Sequence, residues 1–282
     1  MAHANSVWTA VQGSTERCGV ITSFPQLAMC VGLRKRMARA TTPLVAGTFN
    51  LGKLYRGVKR EIARIALSSV DRFIVHSTAE IESYSRWLDL PSDRFRFVPL
   101  LCPDRRIALD EDREHPFVLS MGSAKRDYAL LFDVLGELKL PAVIVAAPYA
   151  VAGLSVPANV RVRSGLSANQ CFELVQRARI NVIPVANRET ASGQVTLLDA
   201  MMFARPIVAT SCVGSVDYAA NGHEALLVQP GSRNDLTVAI ERLWEDSILR
   251  ETLSLKARAT VIARCSDEPV GREMGSILRE LR

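Results

Sequence analysis

The residues of this chain best suited to chemistry lie between Glu189 and Thr210, in the run ETASGQVTLLDAMMFARPIVAT. Gly193 lets a ligand approach the backbone closely. The N–H groups of the helical turn behind it, together with the helix dipole, favour an anion such as a diphosphate. Asp199 stands further along the same helix, where a carboxylate can accept hydrogen bonds from a pair of ribose hydroxyls. The same residues also suit a capped helix start with a solvated carboxylate, and most such units in α/β proteins bind nothing. A second candidate is Gly122-Ser123-Ala124-Lys125-Arg126-Asp127-Tyr128. Phosphate charge needs cations, and Lys125 and Arg126 offer two beside a glycine. A solvated basic turn is the plainer alternative.

Both stretches need strands and helices to hold them. Ile180 to Val185 reads as a buried strand. Ser192-Gly193-Gln194 opens a helix whose apolar face carries Val195, Leu198 and Met202, Pro206 stops it, and Ile207-Val208-Ala209 is the next strand. Strand, loop, helix and strand in that order are the repeating unit of a parallel sheet. Phe117 to Met121, followed by Gly122 and a helix over Ala129 to Leu138, reads as the opening of a Rossmann-like domain. Ser167 is expected to cap a helix over Ala168 to Ala178. From Ser266 onward the chain reads as a charged helical tail.

The first half repeats the alternation. Strands are expected at Gly19 to Ser23, Pro43 to Ala46 and Asp71 to Ser77, and residues 1–16 show no periodicity and read as poorly ordered. Asn50, just past a strand end, can hydrogen-bond a sugar hydroxyl or merely stabilise a turn with Gly52, and it cannot act as an acid or base near neutral pH. His76 ends another strand, where a lone histidine is more often structural. Lys53 to Val70 reads as an amphipathic helix with Leu54, Val58, Ile62, Ile65 and Ala66 on one face and Lys53, Arg56, Lys59, Arg60 and Arg64 mostly elsewhere. That pattern fits an ordinary domain-surface helix or one lying on an anionic membrane. Cys102 to Pro116 is polar and charged, as expected of a linker.

Composition narrows the classes. The 282 residues, 48% hydrophobic, suffice for two domains. No apolar run approaches the ~18 residues of a membrane span, and a secretory signal is not expected. The six cysteines are scattered without metal spacing and read as reduced cytosolic thiols, so no metal is expected. The net charge of +6 is uneven: residues 1–110 carry +7 and residues 111–282 carry −1. No basic run is interleaved with aromatics, which argues against nucleic acid as a partner.

The run Leu197-Leu198-Asp199-Ala200-Met201-Met202, followed by Ala204-Arg205-Pro206 and a strand, resembles the signature of the group 1, or family 4, glycosyltransferases, which retain anomeric configuration and use nucleotide sugars. The resemblance covers roughly residues 17–282 and is most specific over 117–265. It implies the GT-B fold: two Rossmann-like α/β domains facing across a cleft, the N-terminal one here looking short. The expected division is an acceptor-side domain over 1–104, a linker over 105–116, a donor-side domain over 117–265 and a tail over 266–282. It also implies that Asp199 binds the donor ribose and that the amides of Gly193, Gln194, Val195 and Thr196 bind the diphosphate. Gly122, Ser123, Lys125 and Arg126 then line the phosphates from the other loop. Asn50 stands where many relatives have a histidine facing the sugar. The family's first acid would fall at Ala191, and Glu189 is the substitute.

The implied reaction moves a sugar from a nucleoside diphosphate to a hydroxyl of a glycan or lipid-linked acceptor, with no cofactor. The implied location is the cytoplasm, at the inner face of the membrane if the basic first half touches lipid. A non-catalytic partner subunit that kept the fold and a nucleotide-sugar epimerase are the competing readings.

Overall fold

The computed structural model describes residues 2–13, 18–186 and 190–281. The chain divides into two compact units, residues 1–99 with 271–282, and residues 100–270.

The first unit is built on a four-stranded parallel sheet, ordered β1 (Val20–Thr22), β2 (Leu44–Ala46), β3 (Arg72–Val75) and β4 (Phe95–Phe97). Buried parallel strands are apolar on both faces, as Leu44-Val45-Ala46 and Phe73-Ile74-Val75 are. Phe49, just past β2, makes edge contacts with Phe73 and Tyr84 at ring separations of 4.9 and 5.3 Å, and Phe73 stacks on Phe95 at 4.6 Å. The tail of the chain belongs to this unit: Glu280, beyond helix α10 (Asp267–Arg279), pairs with Arg96 at 2.8 Å and with Arg72 at 3.7 Å.

Two expectations for this unit fail. Residues 2–12, expected to be poorly ordered, form a helix, α1 (Ala2–Gln12), in which Trp8 is 5% exposed. One indole packed with Val20, Ala28 and Val31 anchors the segment without any periodic pattern. The long amphipathic helix is also shorter and rotated. It runs from Val58 to Leu67 (α3), after Gly57 at φ +61°, and buries Ala63, Ala66 and Leu67. Val58, Ile62 and Ile65 are 76, 54 and 51% exposed. Close packing on α2 (Pro25–Met37) decides the choice of face, because a Cβ on Gly32 of that helix would collide with the Ala66 carbonyl. A stripe of small residues admits that approach and a row of isoleucines does not.

The second unit holds a six-stranded parallel sheet in the order β10 (Leu226–Val228), β9 (Ile207–Thr210), β8 (Ile180–Ile183), β5 (Val118–Met121), β6 (Ala142–Val145) and β7 (Val160–Arg163). The first strand in sequence is central, the next two lie to one side and the last three to the other. This is the doubly wound order, with its switch point between β5 and β8, where ligands bind outside the carboxyl ends of the strands. Helices α5 (Tyr128–Leu138), α6 (Ala168–Arg177), α7 (Gln194–Met202), α8 (Arg233–Glu245) and α9 (Ser247–Cys265) belong to this unit. Residues 100–112, most of which fall in the stretch 102–116 read as linker, have no regular structure yet lie against it. The Ala108 and Leu109 amides donate to Gln176 Oε1 at 2.7 and 3.1 Å, the Asp112 amide to the Arg177 carbonyl at 2.9 Å, and Glu111 pairs with Arg179 at 2.6 Å. Backbone groups need partners, and here the partners hold the segment in place as a strap.

Gly32→Ala is expected to lower the stability of the first unit by about 1–3 kcal/mol, the range for overpacking at a tight contact. A drop in melting temperature against wild type would show it, and an unchanged melting curve would mean that α2 and α3 do not approach as described.

Candidate functional site

The site is built at the switch point of the second unit, from the loop after β5 and the loop before α7. Gly122 has φ +109°, a conformation that side chains disfavour, and a Cβ there would come within 2.5 Å of the Arg126 guanidinium. That absent side chain is the space into which Arg126 folds back. Its Nε donates to the Met121 carbonyl at 3.0 Å, Nη1 to the Ala124 carbonyl at 3.1 Å and Nη2 to Thr196 Oγ1 at 3.1 Å. Backbone pairing of Arg126 with Val185 ties the two loops together. Lys125, at φ +56°, accepts from the Ala186 amide at 3.0 Å through its carbonyl and donates from Nζ to Thr190 Oγ1 at 2.8 Å. The Ser123 hydroxyl accepts from the Ala147 amide at 2.7 Å, so it staples the loop to the end of β6.

Gly193, at φ +86°, is the N-cap of α7. A Cβ there would lie 2.9 Å from Ile183 Cγ2 and 3.7 Å from Arg126 Nη1. Thr196 Oγ1 donates to the Gly193 carbonyl at 2.9 Å while it accepts from Arg126. Ser192 Oγ donates to the Ala124 carbonyl at 3.1 Å, and a Cβ on Gly214 would collide with the Ser192 backbone. Gln194 is buried and turns its amide toward the hydroxyl of Tyr218, 3.4 Å away, which also accepts from the Leu100 amide at 3.0 Å. Val195, expected on the apolar face, is 63% exposed. Leu197, Leu198, Ala200, Met201 and Met202 form the buried sides of α7.

The electrostatics at this point are one-sided. A helix N-terminus carries partial positive charge and prefers anions, yet Arg126 and Lys125 are held beside it. Burial lowers the pKa of Arg126, so desolvation penalises its charge. The arrangement is unfavourable without a counter-anion and favourable with one. Only three of the five N–H groups of a guanidinium find acceptors among the described residues for Arg126.

Asp199 lies two turns into α7 with its side chain 13% exposed. Burial raises its pKa from 3.8 to about 6, against the pull of Arg105, whose Nε is 3.8 Å from Oδ1. Arg105 comes from the strap. It was passed over as part of a charged linker, as were Tyr218, Thr190 and Gly214 in their own loops. Only the Asp-Arg-Arg run at 104–106 marked Arg105 in the sequence. Asn50 is in the first unit, where its Oδ1 accepts from the Gly52 amide at 2.9 Å. Glu189 lies outside the described residues. Among the described residues, no group of three His, Cys, Asp or Glu side chains is placed to hold a metal ion.

Comparison with known proteins gives this architecture a name. Over 98% of its length the chain is similar to HepE from Anabaena, solved in complex with UDP and glucose, at 16% identity and a TM-score of 0.78, covering 81% of that chain. It is equally similar to the sucrose-phosphate synthase of Thermosynechococcus elongatus, at 19% identity and a TM-score of 0.78 over 99% of this chain and 77% of that one. The fold of two parallel-sheet units is GT-B. Residues 124–246 match the model of the family described as glycosyl transferases group 1. A curated relative, the capsular polysaccharide biosynthesis glycosyltransferase CapM of Staphylococcus aureus, is 26% identical over 98 residues, or 35% of this chain. The matched stretch spans about a quarter of that relative's length, 26%.

The raised pKa of Asp199 fixes the sign of a pH effect. A folded-state value above the unfolded one stabilises the fold fully below about pH 4, and that contribution is lost as the pH rises through 6. Asp199→Asn is therefore expected to be more stable than wild type at pH 7.5, by up to roughly 2–3 kcal/mol for a shift of about two units. The difference should fall by roughly half at pH 5. Denaturant titrations of both proteins at the two pH values measure it, and a difference independent of pH would place the carboxylate in water.

Proposed function

We propose that this chain transfers a sugar from a nucleoside diphosphate donor to a hydroxyl acceptor, with retention, and that the second unit holds the donor. The observation that carries this reading is the pair of cations beside the N-terminus of α7 at the sheet's switch point. The diphosphate is the ligand that this charge asks for. Arg126 and the amides of Gly193 to Thr196 would take the charge that builds on the leaving diphosphate, with Lys125 behind them. Asp199 would accept from the ribose hydroxyls. Gly122 would admit Arg126 to the site, and Ser123 would fix the loop that carries it. Glu189 and Asn50 would orient the sugar, and no metal is needed where cations and helix amides neutralise the phosphates. Uridine is the first base to test, because HepE was solved with UDP-glucose, with UDP, and with UDP and glucose.

The acceptor we infer is a glycan or a lipid-linked sugar. The related CapM is named for capsular polysaccharide biosynthesis, and the similar WaaB is a lipopolysaccharide outer core galactosyltransferase. A lipid-linked acceptor fits the exposed Val58, Ile62 and Ile65 of α3, flanked by Lys53, Arg56 and Lys59. An apolar stripe bordered by cations suits the cytoplasmic face of an anionic membrane. Among the described residues no helix is long and apolar enough to cross one. A binding subunit without transfer activity is the second reading. It is favoured by Asn50 spending its carbonyl on Gly52 and by Ala191 at the position of the family's first acid.

Three outcomes follow. Arg126→Ala should weaken UDP binding at least tenfold by calorimetry, consistent with about 1.5–3 kcal/mol for a charged hydrogen-bonding group. Unchanged affinity would refute its phosphate role. Slow release of glucose from UDP-glucose by wild type, lost in Arg126→Ala, separates a transferase from a binding subunit. The protein should also float with phosphatidylglycerol-containing vesicles but not with neutral ones, and Ile62→Glu should abolish flotation. Equal recovery with both vesicle types would remove the membrane from the proposal.

A further inference from the structure

Asp199 faces a difficulty if it is to grip a ribose. Burial favours its neutral form, and a protonated carboxyl has given up acceptor capacity to its own hydrogen. Among the neighbours of α7, one alone offsets this. The strap brings the thiol of Cys102, whose own pKa burial pushes up to about 12, and α6 brings Cys171, also raised by burial, with the Asp199 charge adding to both shifts. Neither thiol titrates in the range where the carboxylate does. From α9, Arg258 is committed to the carbonyls of Met202 and Arg105 and lies 3.6 Å from Asp104, and Cys265 sits behind Cys102. Arg163 acts on Cys171. The strands β8 and β9 that flank α7 contribute no charged side chain.

The exception is Arg105. Its guanidinium stacks on the ring of Phe172 at 4.0 Å, so its position is set by an aromatic platform on α6 rather than by the carboxylate. Its Nε is buried and makes no hydrogen bond, standing 3.8 Å from Asp199 Oδ1. That separation is too long for a hydrogen bond and short enough for a strong charge interaction in a poorly solvated place. Arg105 thus lends Asp199 a counter-charge without occupying its lone pairs. The side chains of both residues remain partly exposed, at 31 and 13%.

We infer that Arg105 is a positioning residue for nucleotide recognition: held on Phe172, it keeps Asp199 ionised and its oxygens vacant, so that the hydroxyls of a nucleoside diphosphate's ribose become the hydrogen bonds the carboxylate lacks. This rests on the donor reading given above and adds to it a residue of the strap. It also assigns the strap a task, since the packing that fixes residues 100–112 on this unit is what delivers the guanidinium.

The test is UDP affinity as a function of pH, measured by calorimetry on the full chain. Wild type should bind equally well at pH 8.0 and 6.5 within about twofold. Arg105→Ala should bind UDP within threefold of wild type at pH 8.0, where the carboxylate is ionised in either protein, and at least fivefold more weakly at pH 6.5. Arg105→Lys should restore most of the pH 6.5 affinity. Arg105→Gln, which is shorter but keeps a planar polar end without the charge, should behave as the alanine variant does and serves if the latter fails to fold. An equal loss at both pH values would overturn the inference, since it would mark Arg105 as a direct contact or a structural prop, and so would no loss at either. Asp199→Asn is the control for the underlying reading. If it binds UDP as tightly as wild type, the ribose role fails whatever Arg105 does. If it weakens binding while Arg105→Ala shows no pH-dependent loss, only the present inference falls.

Discussion

A guanidinium held against the positive end of a helix is the constraint around which the second unit is arranged. Like charges do not gather in a half-buried place unless the fold compels them. Here the compulsion is backbone: a glycine at 122 with no side chain to obstruct Arg126, a glycine at 193 with none to separate it from α7, and a strand-like pairing of Arg126 with Val185. The sheet's order does the rest. Because β5 and β8 are neighbours whose connections leave in opposite directions, the loops that follow them lie at the sheet's switch point, where ligands of such sheets bind. The stability given up by crowding cations there is recovered only when an anion arrives, which is how a binding site differs from a well-packed surface.

The same tension recurs two turns along the helix. A carboxylate with 13% of its side chain exposed beside two thiols is a poor choice for stability, and its elevated pKa records that. Strained or frustrated groups of this kind concentrate where ligands bind. Arg126, bonded to Thr196, and Asp199, three residues on, carry opposite charges along the first turns of α7, and a nucleoside diphosphate presents phosphates and hydroxyls in a matching sequence.

Much of this was legible in the residues. Largely apolar runs at 118–121, 180–183 and 207–210, each with a single polar residue, mark strands buried on both faces, and the glycines between strand and helix mark where the backbone must turn sharply. Those are local signals, and the fold class follows from them. What escaped was set by contacts distant in sequence. The face that α3 buries is dictated by Gly32, more than thirty residues earlier, and the periodicity of α3 alone favours the wrong side. The helix at 2–12 depends on one tryptophan finding a pocket. Residues 100–112 look like a tether because their polar backbone is satisfied by Gln176 and Arg177, which no local pattern connects to them. Arg105 was invisible for that reason.

The return of the chain to its first unit has a consequence for biosynthesis. Residues 271–281 complete a sheet-bearing body whose other part ends at residue 99, and every residue of the second unit is translated in between. A ribosome adding roughly 5–20 residues per second leaves the first body without its closing segment for on the order of ten seconds or more. During that interval Arg72 and Arg96 lack the Glu280 carboxylate that will neutralise them. The first unit is thus completed only after the second has been translated.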